Sequence, residues 1–349
     1  MGMFFLKGGW EMQKERMVLK RCCLVALTMV FVCALVSTPV GAAEAPKKVT
    51  FVAGTVGGSW YNTAAVMAEI LMKEVPGLNV TATSGISLGN VRLINEGRDA
   101  HFGWTYLNSV FKARMPEAPF KKKHMDVRVL LPGMLGSPYL VCNKKAGVKD
   151  YGDLKGKRVL TAQLGGANED LFRKTLALYG ITYDDIKKAG GSVNHIAFTQ
   201  QVTLMKDNRA DCCLAPAPPN NPLGLVLDLE NTMDINVATV RSDVLEKFCE
   251  QNPGYIPYAL DPMYKCLKDL DKPVMVAAGI GVIITNKNFP DDFVYNVLKA
   301  IYTHKDQLYK INRMYTYIKK ENLKKGVPEE LFHPGALKFI NEAQAGKWD

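Results

Sequence analysis

At 349 residues the chain can bury one large core or two ordinary ones, and a content of 48% hydrophobic and 22% charged residues excludes a disordered polypeptide. The formal charge is +10, yet the basic residues are scattered, and the one tight cluster, Lys121-Lys122-Lys123, reads as a solvated loop. This excludes a nucleic-acid stripe and leaves a modest field that favours anionic partners.

Lys20-Arg21 precede an apolar run at 22–36, and Val40-Gly41-Ala42 or Gly41-Ala42-Ala43 then offers a small-residue cleavage site near Ala42 or Ala43. Residues 1–43 therefore read as a signal peptide, with Met17 a second candidate start, and the remainder is expected in the periplasm. The run is short for a membrane span, nothing later is longer, and no lipobox precedes Cys33.

From residue 49 strand and helix alternate. A strand at 49–53 enters Gly54-Thr55-Val56-Gly57-Gly58-Ser59, and a helix starts at Trp60-Tyr61, with Tyr61, Ala64, Ala65, Ala68, Leu71 and Met72 as its apolar stripe. A second strand at 79–83 enters Ser84-Gly85-Ile86-Ser87, and a helix follows near Gly89-Asn90. Strands are expected at 100–106, 127–135 and 139–143, with a surface excursion at 112–126. A second alternating block gives strands at 158–162, 195–198, 210–217 and 236–240. Helices there are expected over 164–180, 200–209 and 242–251. A long strand at 274–285 precedes a helix at 288–305, with Asp291 and Asp292 in its first turn and Phe293, Val294, Val297, Leu298 and Ile301 on its buried face. The alternation predicts an α/β fold with mainly parallel sheets and ligands at the C-terminal ends of the strands.

Five cysteines follow the signal segment: Cys142, Cys212, Cys213, Cys249 and Cys266. Their spacing fits no zinc pattern, and no His/Asp/Glu grouping has metal-ligand spacing, so neither metal nor cofactor is expected. In an oxidising compartment Cys249 and Cys266, which flank a Pro/Gly/Tyr-rich loop, are the expected disulfide. Cys212-Cys213 are expected to pack in a core.

The two small-residue junctions carry the functional reading. Each places unpaired N–H groups and hydroxyls at the positive end of a helix, which holds a carboxylate without a metal. Gly57, Gly58 and Ser59 form the first, and Ser84, Gly85, Ser87 and Asn90 the second; the plainer reading of the first is a tight helix cap. Trp60 and Tyr61 would wall the cleft, although Tyr61 also fits the packed stripe. Trp104, Thr105 and Tyr106, at the end of the third strand, would face the same cleft or, for Trp104, the core. Gln200 and Gln201 would donate to a carboxylate or merely cap a helix, and Arg92 would pair with the ligand or stay solvated. Gly85-Ile86-Ser87-Leu88-Gly89 matches the nucleophile-elbow pattern of a serine hydrolase, but only two strands precede Ser87 and no histidine is placed to serve it.

GTVGGSWYNTAAVMAEIL at 54–71 and TSGISLGNVRLINEGRDA at 83–100 resemble the N-terminal part of the TAXI-type receptors, the TRAP-associated extracytoplasmic immunogenic proteins. The likeness continues in order through DLKGKRV at 153–159, LALYGITYDDIK at 176–187, DDFVYNVLKAIY at 291–302 and His333-Pro334-Gly335-Ala336. It implies a two-lobed periplasmic-binding-protein fold of type II, a Venus flytrap with two chain crossovers. Lobe 1 would be 46–142 plus 278–349, and lobe 2 would be 143–277. It also implies a monomer that captures a small organic acid or a glutamate-like amino acid and passes it to a TRAP membrane permease. Two stretches depart from the family. AQLGGANED at 162–170 stands where the family loop is rich in Pro, Gly, Ser and Thr, so Gln163, Gly165 and Asn168 would supply the contacts. LAPAPPNNP at 214–222, with Pro216, replaces an alanine–glycine–x–proline turn. The expectation is a non-catalytic receptor for a small anionic solute. The alternatives are a receptor of an ATP-driven importer or sensor and, remotely, a secreted serine hydrolase using Ser87.

Overall fold

A computed structural model describes residues 46–54, 56–115, 120–164, 167–268 and 270–348. The expected signal peptide with its cleavage site, and Gly165 of the expected ligand set, lie outside these residues. The first block runs β1 (Lys48–Val52), α1 (Ser59–Glu74), β2 (Asn79–Thr83), α2 (Ser87–Glu96), β3 (Phe102–Tyr106) and α3 (Leu107–Ala113). A long strand, β4 (Val127–Asn143), leads to β5 (Arg158–Thr161), α4 (Ala167–Leu178), α5 (Tyr183–Lys188), β6 (Ser192–His195), α6 (Phe198–Lys206) and β7 (Cys212–Ala217). Then come α7 (Gly224–Thr232), β8 (Ile235–Ala238), α8 (Ser242–Gln251), β9 (Tyr255–Ala259) and a second long strand, β10 (Met275–Asn286). The chain closes with α9 (Asp291–Thr303), α10 (Lys305–Ile311), a 3-10 turn at Arg313–Tyr317 and α11 (Pro334–Gln344).

The strand order is β2-β1-β3-β10-β4-β7-β5-β6, with β8 beside β4 and β9 beside β10. Pairing is parallel at both flanks, β2-β1-β3 and β7-β5-β6, and antiparallel wherever β4 or β10 takes part. The fold is α/β as expected, but the sheet is mixed rather than mainly parallel, because two long strands carry the chain across its middle. The sequence suggests two strands at 127–135 and 139–143; the structure has one strand through both. Pro132 and Pro138 are accommodated within it, and shifts of register between Gly281 and Val282 and between Ile283 and Ile284 absorb the irregularity.

Both long strands change partners at one level. β4 pairs with β10 up to Gly136↔Gly279, and from Ser137 onward it pairs with β7. β10 pairs with β9 over 275–279. The apolar cores divide accordingly. One joins residues of 49–135 to residues of 278–343, and two smaller ones are built within 139–277. The chain thus folds as two α/β lobes joined through β4 and β10.

Helix α1 buries Thr63, Ala64, Met67, Ala68, Ile70 and Leu71, so Met67 and Ile70 enter the core where the expected stripe had Ala65 and Met72. Met72 is 42% exposed. Helix α9 buries all five expected residues. The 195–198 strand lies earlier, at β6, and Phe198 already opens α6.

The cysteines correct the sequence reading. Cys249 and Cys266 are free, and the bridge joins Cys142 to Cys212, which face each other across β4 and β7. Strand alternation explains the choice: Cys212 points into one small core and Cys213 into the other. Closing a loop of 70 residues stabilises the fold by about 4 kcal/mol in the chain-entropy view.

Candidate functional site

A cleft of about 380 Å³ lies where the long strands change partners. Its walls are Gly54, Gly58, Ser59 and Trp60 from the first junction, Tyr106 at the end of β3, and Met134, Gly136, Ser137 and Pro138 of β4. Asn168 of α4, Pro216 of β7, Pro218 just after it, and Met314 of the 3-10 turn at Arg313–Tyr317 complete it. The volume suits a small metabolite.

Helix α1 begins at Ser59 with Gly58 as its N-cap, in extended conformation and with no side-chain cap. The first intrahelical bond is Asn62 N–H to Gly58 O at 3.0 Å, so the amides of Ser59, Trp60 and Tyr61 have no intrahelical acceptor. No acidic residue sits in the first turn. The positive end of the helix dipole is therefore uncompensated at the cleft wall. The C-terminal segment holds it in place. Tyr315 OH donates to Ser59 O at 2.9 Å, and Asn312 Nδ2 donates to Ser59 Oγ at 3.3 Å.

The aromatic wall is built from two neighbouring elements. Trp60 lies 5.1 Å from Tyr106 and 6.0 Å from Trp104, ring centre to ring centre, and its Nε1–H points at Met134 Sδ, 2.9 Å away. Burial pushes the Tyr106 phenol up to about 12, so it stays neutral at physiological pH. Gly136 is needed beneath it, because a Cβ there would come within 2.4 Å of Tyr106 Oη.

The second junction does something different. Ser87 Oγ lies 2.8 Å from Thr105 Oγ1 and 3.1 Å from Ser109 Oγ, and accepts from Tyr106 N–H at 3.2 Å. Thr105 Oγ1 also donates to Ser87 O at 3.0 Å. Asn90 is fully buried and donates through Nδ2 to Ala53 O and Trp104 O, both at 2.7 Å, which ties the ends of β1 and β3 together. Gly85 is required there, since a Cβ would meet Asn90 Oδ1 at 2.1 Å.

Of the residues singled out in sequence, the structure brings Gly58, Ser59, Trp60, Tyr106, Asn168 and Pro216 to the cleft wall. Trp104 and Thr105 are fully buried, and Ser87 and Asn90 serve the internal network. Ser84, Gln163 and Gln200 are exposed, and Gly57, Tyr61 and Gly85 are not among the wall residues. Gln201 is buried and structural, donating to Ile196 O and accepting from Leu214 N–H. Arg92 lies over the Phe120 ring, away from the wall. Sequence reasoning missed Met134, Ser137 and Met314, and Met314 carries no local signal. At the nucleophile-elbow pattern the Ser87 hydroxyl is engaged by Thr105, Ser109 and Tyr106 N–H. Among the described residues no His/Cys/Asp/Glu cluster could hold a metal, and no helix is long and apolar enough to cross a membrane.

A second hollow, of about 350 Å³, lies between α3, α4 and α8. Lys112, Lys174 and Asp170 line it, and Lys174 already pairs with Asp170 at 2.7 Å. It lacks an open helix start; the first turn of α4 carries Glu169 and Asp170, which offset its dipole. The strand-switch cleft is the better candidate.

The fold is two α/β lobes joined by strands that change partners at a cleft. Similar solved structures include the alkanesulfonate-binding protein SsuA of Xanthomonas axonopodis pv. citri bound to MOPS, at 13% identity over 86% of this chain and 85% of that one, with a TM-score of 0.41. Another is the open substrate-binding domain 2 of Lactococcus lactis GlnP, at 11% identity over 78% and 97%, TM-score 0.43. A third is the unliganded L-cystine solute receptor of Neisseria gonorrhoeae, at 17% identity over 77% and 92%, TM-score 0.39. The sequence model of the NMT1-like family matches residues 51–343, from β1 through α11, and the chain belongs to that family.

Proposed function

We propose that the protein is an extracytoplasmic, non-catalytic receptor that captures a small carboxylate in the strand-switch cleft and hands it unchanged to a membrane permease. One observation carries this reading: the uncompensated start of α1 opens onto a metabolite-sized cleft bounded by both lobes. The amides of Ser59, Trp60 and Tyr61 would hold the carboxylate, and Asn168 would close over it from the other lobe. The paired glycines Gly136 and Gly279, where both long strands change partners, mark the hinge. On this reading the lobes divide at 136/137, where the sequence suggests a division after 142. The resemblance of 54–100 to TAXI-type receptors makes a TRAP permease the proposed partner.

The test uses Trp60 as reporter. Titrating purified protein with a panel of carboxylates should change tryptophan fluorescence and raise the melting temperature, as binding to the native state requires. A panel that moves neither signal sinks the reading. Uptake of the bound solute that collapses with an ionophore rather than with ATP depletion would support the TRAP partner over an ATP-driven one.

A further inference from the structure

Six segments leave the C-terminal ends of the parallel strands β1, β2, β3, β5, β6 and β7 and open the elements that follow. They are residues 53–68, 83–91, 104–111, 162–168, 196–205 and 214–227, and none contains Asp, Glu, Lys or Arg. In a chain with 22% charged residues, charge resumes immediately after each one, at Glu69, Arg92, Lys112, Glu169, Lys206 and Asp228. The two nearest acids of α4 are turned to other partners. Glu169 is 1% exposed and bonds Tyr183 Oη at 2.9 Å and Arg173 Nε at 3.2 Å, and Asp170 pairs with Arg173 and Lys174. The cleft wall follows the same rule: its side chains are aromatic, thioether, proline, hydroxyl or amide, with the neutral Tyr106 as the one titratable group.

We propose that the cleft selects solutes carrying a single negative charge on an apolar or aromatic body, and rejects amino acids and dicarboxylates. The inference deepens the receptor reading and rests on it. The α1 amides accommodate one anionic group. A second carboxylate, or an ammonium, would leave water with no counter-charge in the wall, and an unpaired buried ion is strongly disfavoured. The rest of the surface, Trp60, Tyr106, Met134, Pro138, Pro216 and Met314, suits a hydrocarbon or ring.

Calorimetric titration of the purified full chain with benzoate, hexanoate, benzamide, succinate and glutamate tests this. The expected result is binding of benzoate or hexanoate, with succinate and glutamate weaker by about 100-fold. A gap of tenfold or more supports the inference; a smaller gap, or tighter binding of succinate or glutamate, overturns it while leaving the receptor reading standing. Benzamide binding as tightly as benzoate would overturn the single-charge requirement, and with it the inference. Silence from every carboxylate overturns the receptor reading itself. A second arm places a cation in the wall: Asn168→Arg, with folding checked by circular dichroism, should raise succinate affinity relative to benzoate by at least tenfold. An unchanged ratio would show that wall neutrality is not what selects the solute.

Discussion

β1 passes through residues 53–58 into α1, and β2 passes through residues 84–86 into α2. The two junctions share their chemistry. Each helix starts without a side-chain cap bond, has no acid in its first turn and is preceded by glycine and small polar residues. They differ in what packs beside them. At α2 the hydroxyls of Thr105 and Ser109 lie against Ser87, and Asn90 is drawn inward to bind two strand carbonyls. At α1 the neighbours are Met134 and the C-terminal turn, and the first-turn amides stay open at the cleft wall. A small-residue helix start becomes a ligand site when its surroundings leave its donors unspent; otherwise it becomes a joint in the scaffold.

Substitutions can break this contrast. The largest effect is expected from Asn90→Ala, which strips Ala53 O and Trp104 O of their buried donor. Urea unfolding should show a loss of about 2–4 kcal/mol, with solute affinity of the folded protein little changed. Ser59→Asp should do the reverse. A carboxylate at the first position of α1 stabilises the helix by about 0.3–1 kcal/mol while repelling the solute, so affinity falls tenfold or more as the melting temperature rises slightly. Loss of stability without loss of affinity would mean that α1 is scaffold after all. Ser87→Ala, which removes one internal hydroxyl, should cost about 1 kcal/mol of stability and leave binding within twofold.

A third helix start sharpens the comparison through pH. At α11 the N-cap His333 accepts from Gly335 N–H through Nδ1 at 3.2 Å, while its Nε2 lies 3.1 Å from Phe289 O. Burial lowers its pKa below the ordinary 6.5, with Asp291 opposing. The neutral ring is therefore the native form. Its contribution is complete above pH 6.5 and is lost as pH falls from there through the folded-state pKa. The urea midpoint should drop modestly between pH 7.5 and 5, and His333→Gln should flatten that drop.

The sequence carried much of this fold because local patterns set its short elements. The limits of β2 and α8 and the buried face of α9 follow from β-branched runs, capping residues and helical spacing. What it hid depends on distance. Nothing near Gly136 announces that β4 runs on as one strand, since Gly-Ser-Pro ordinarily ends one. Cys142 finds Cys212 through cross-strand register, which spacing along the chain does not reveal. The stripe of α1 was rotated because Met67 and Ile70 compete for the same core as Ala65 and Met72, and only the packed neighbours decide. Ser87 and Asn90 at the second junction read as ligand groups because their partners lie one element later, at Trp104 and Thr105, or two, at Ser109.

Met314 lines the cleft, and Asn312 and Tyr315 reach back to Ser59 across more than two-thirds of the chain. A segment made late by the ribosome thus braces a helix made early. A nascent chain still lacking residues beyond about 304 would have its first lobe in part and its capture helix unbraced. A copy truncated before these residues is therefore expected to leave the start of α1 unbraced, so that an unfinished chain would hold a solute poorly.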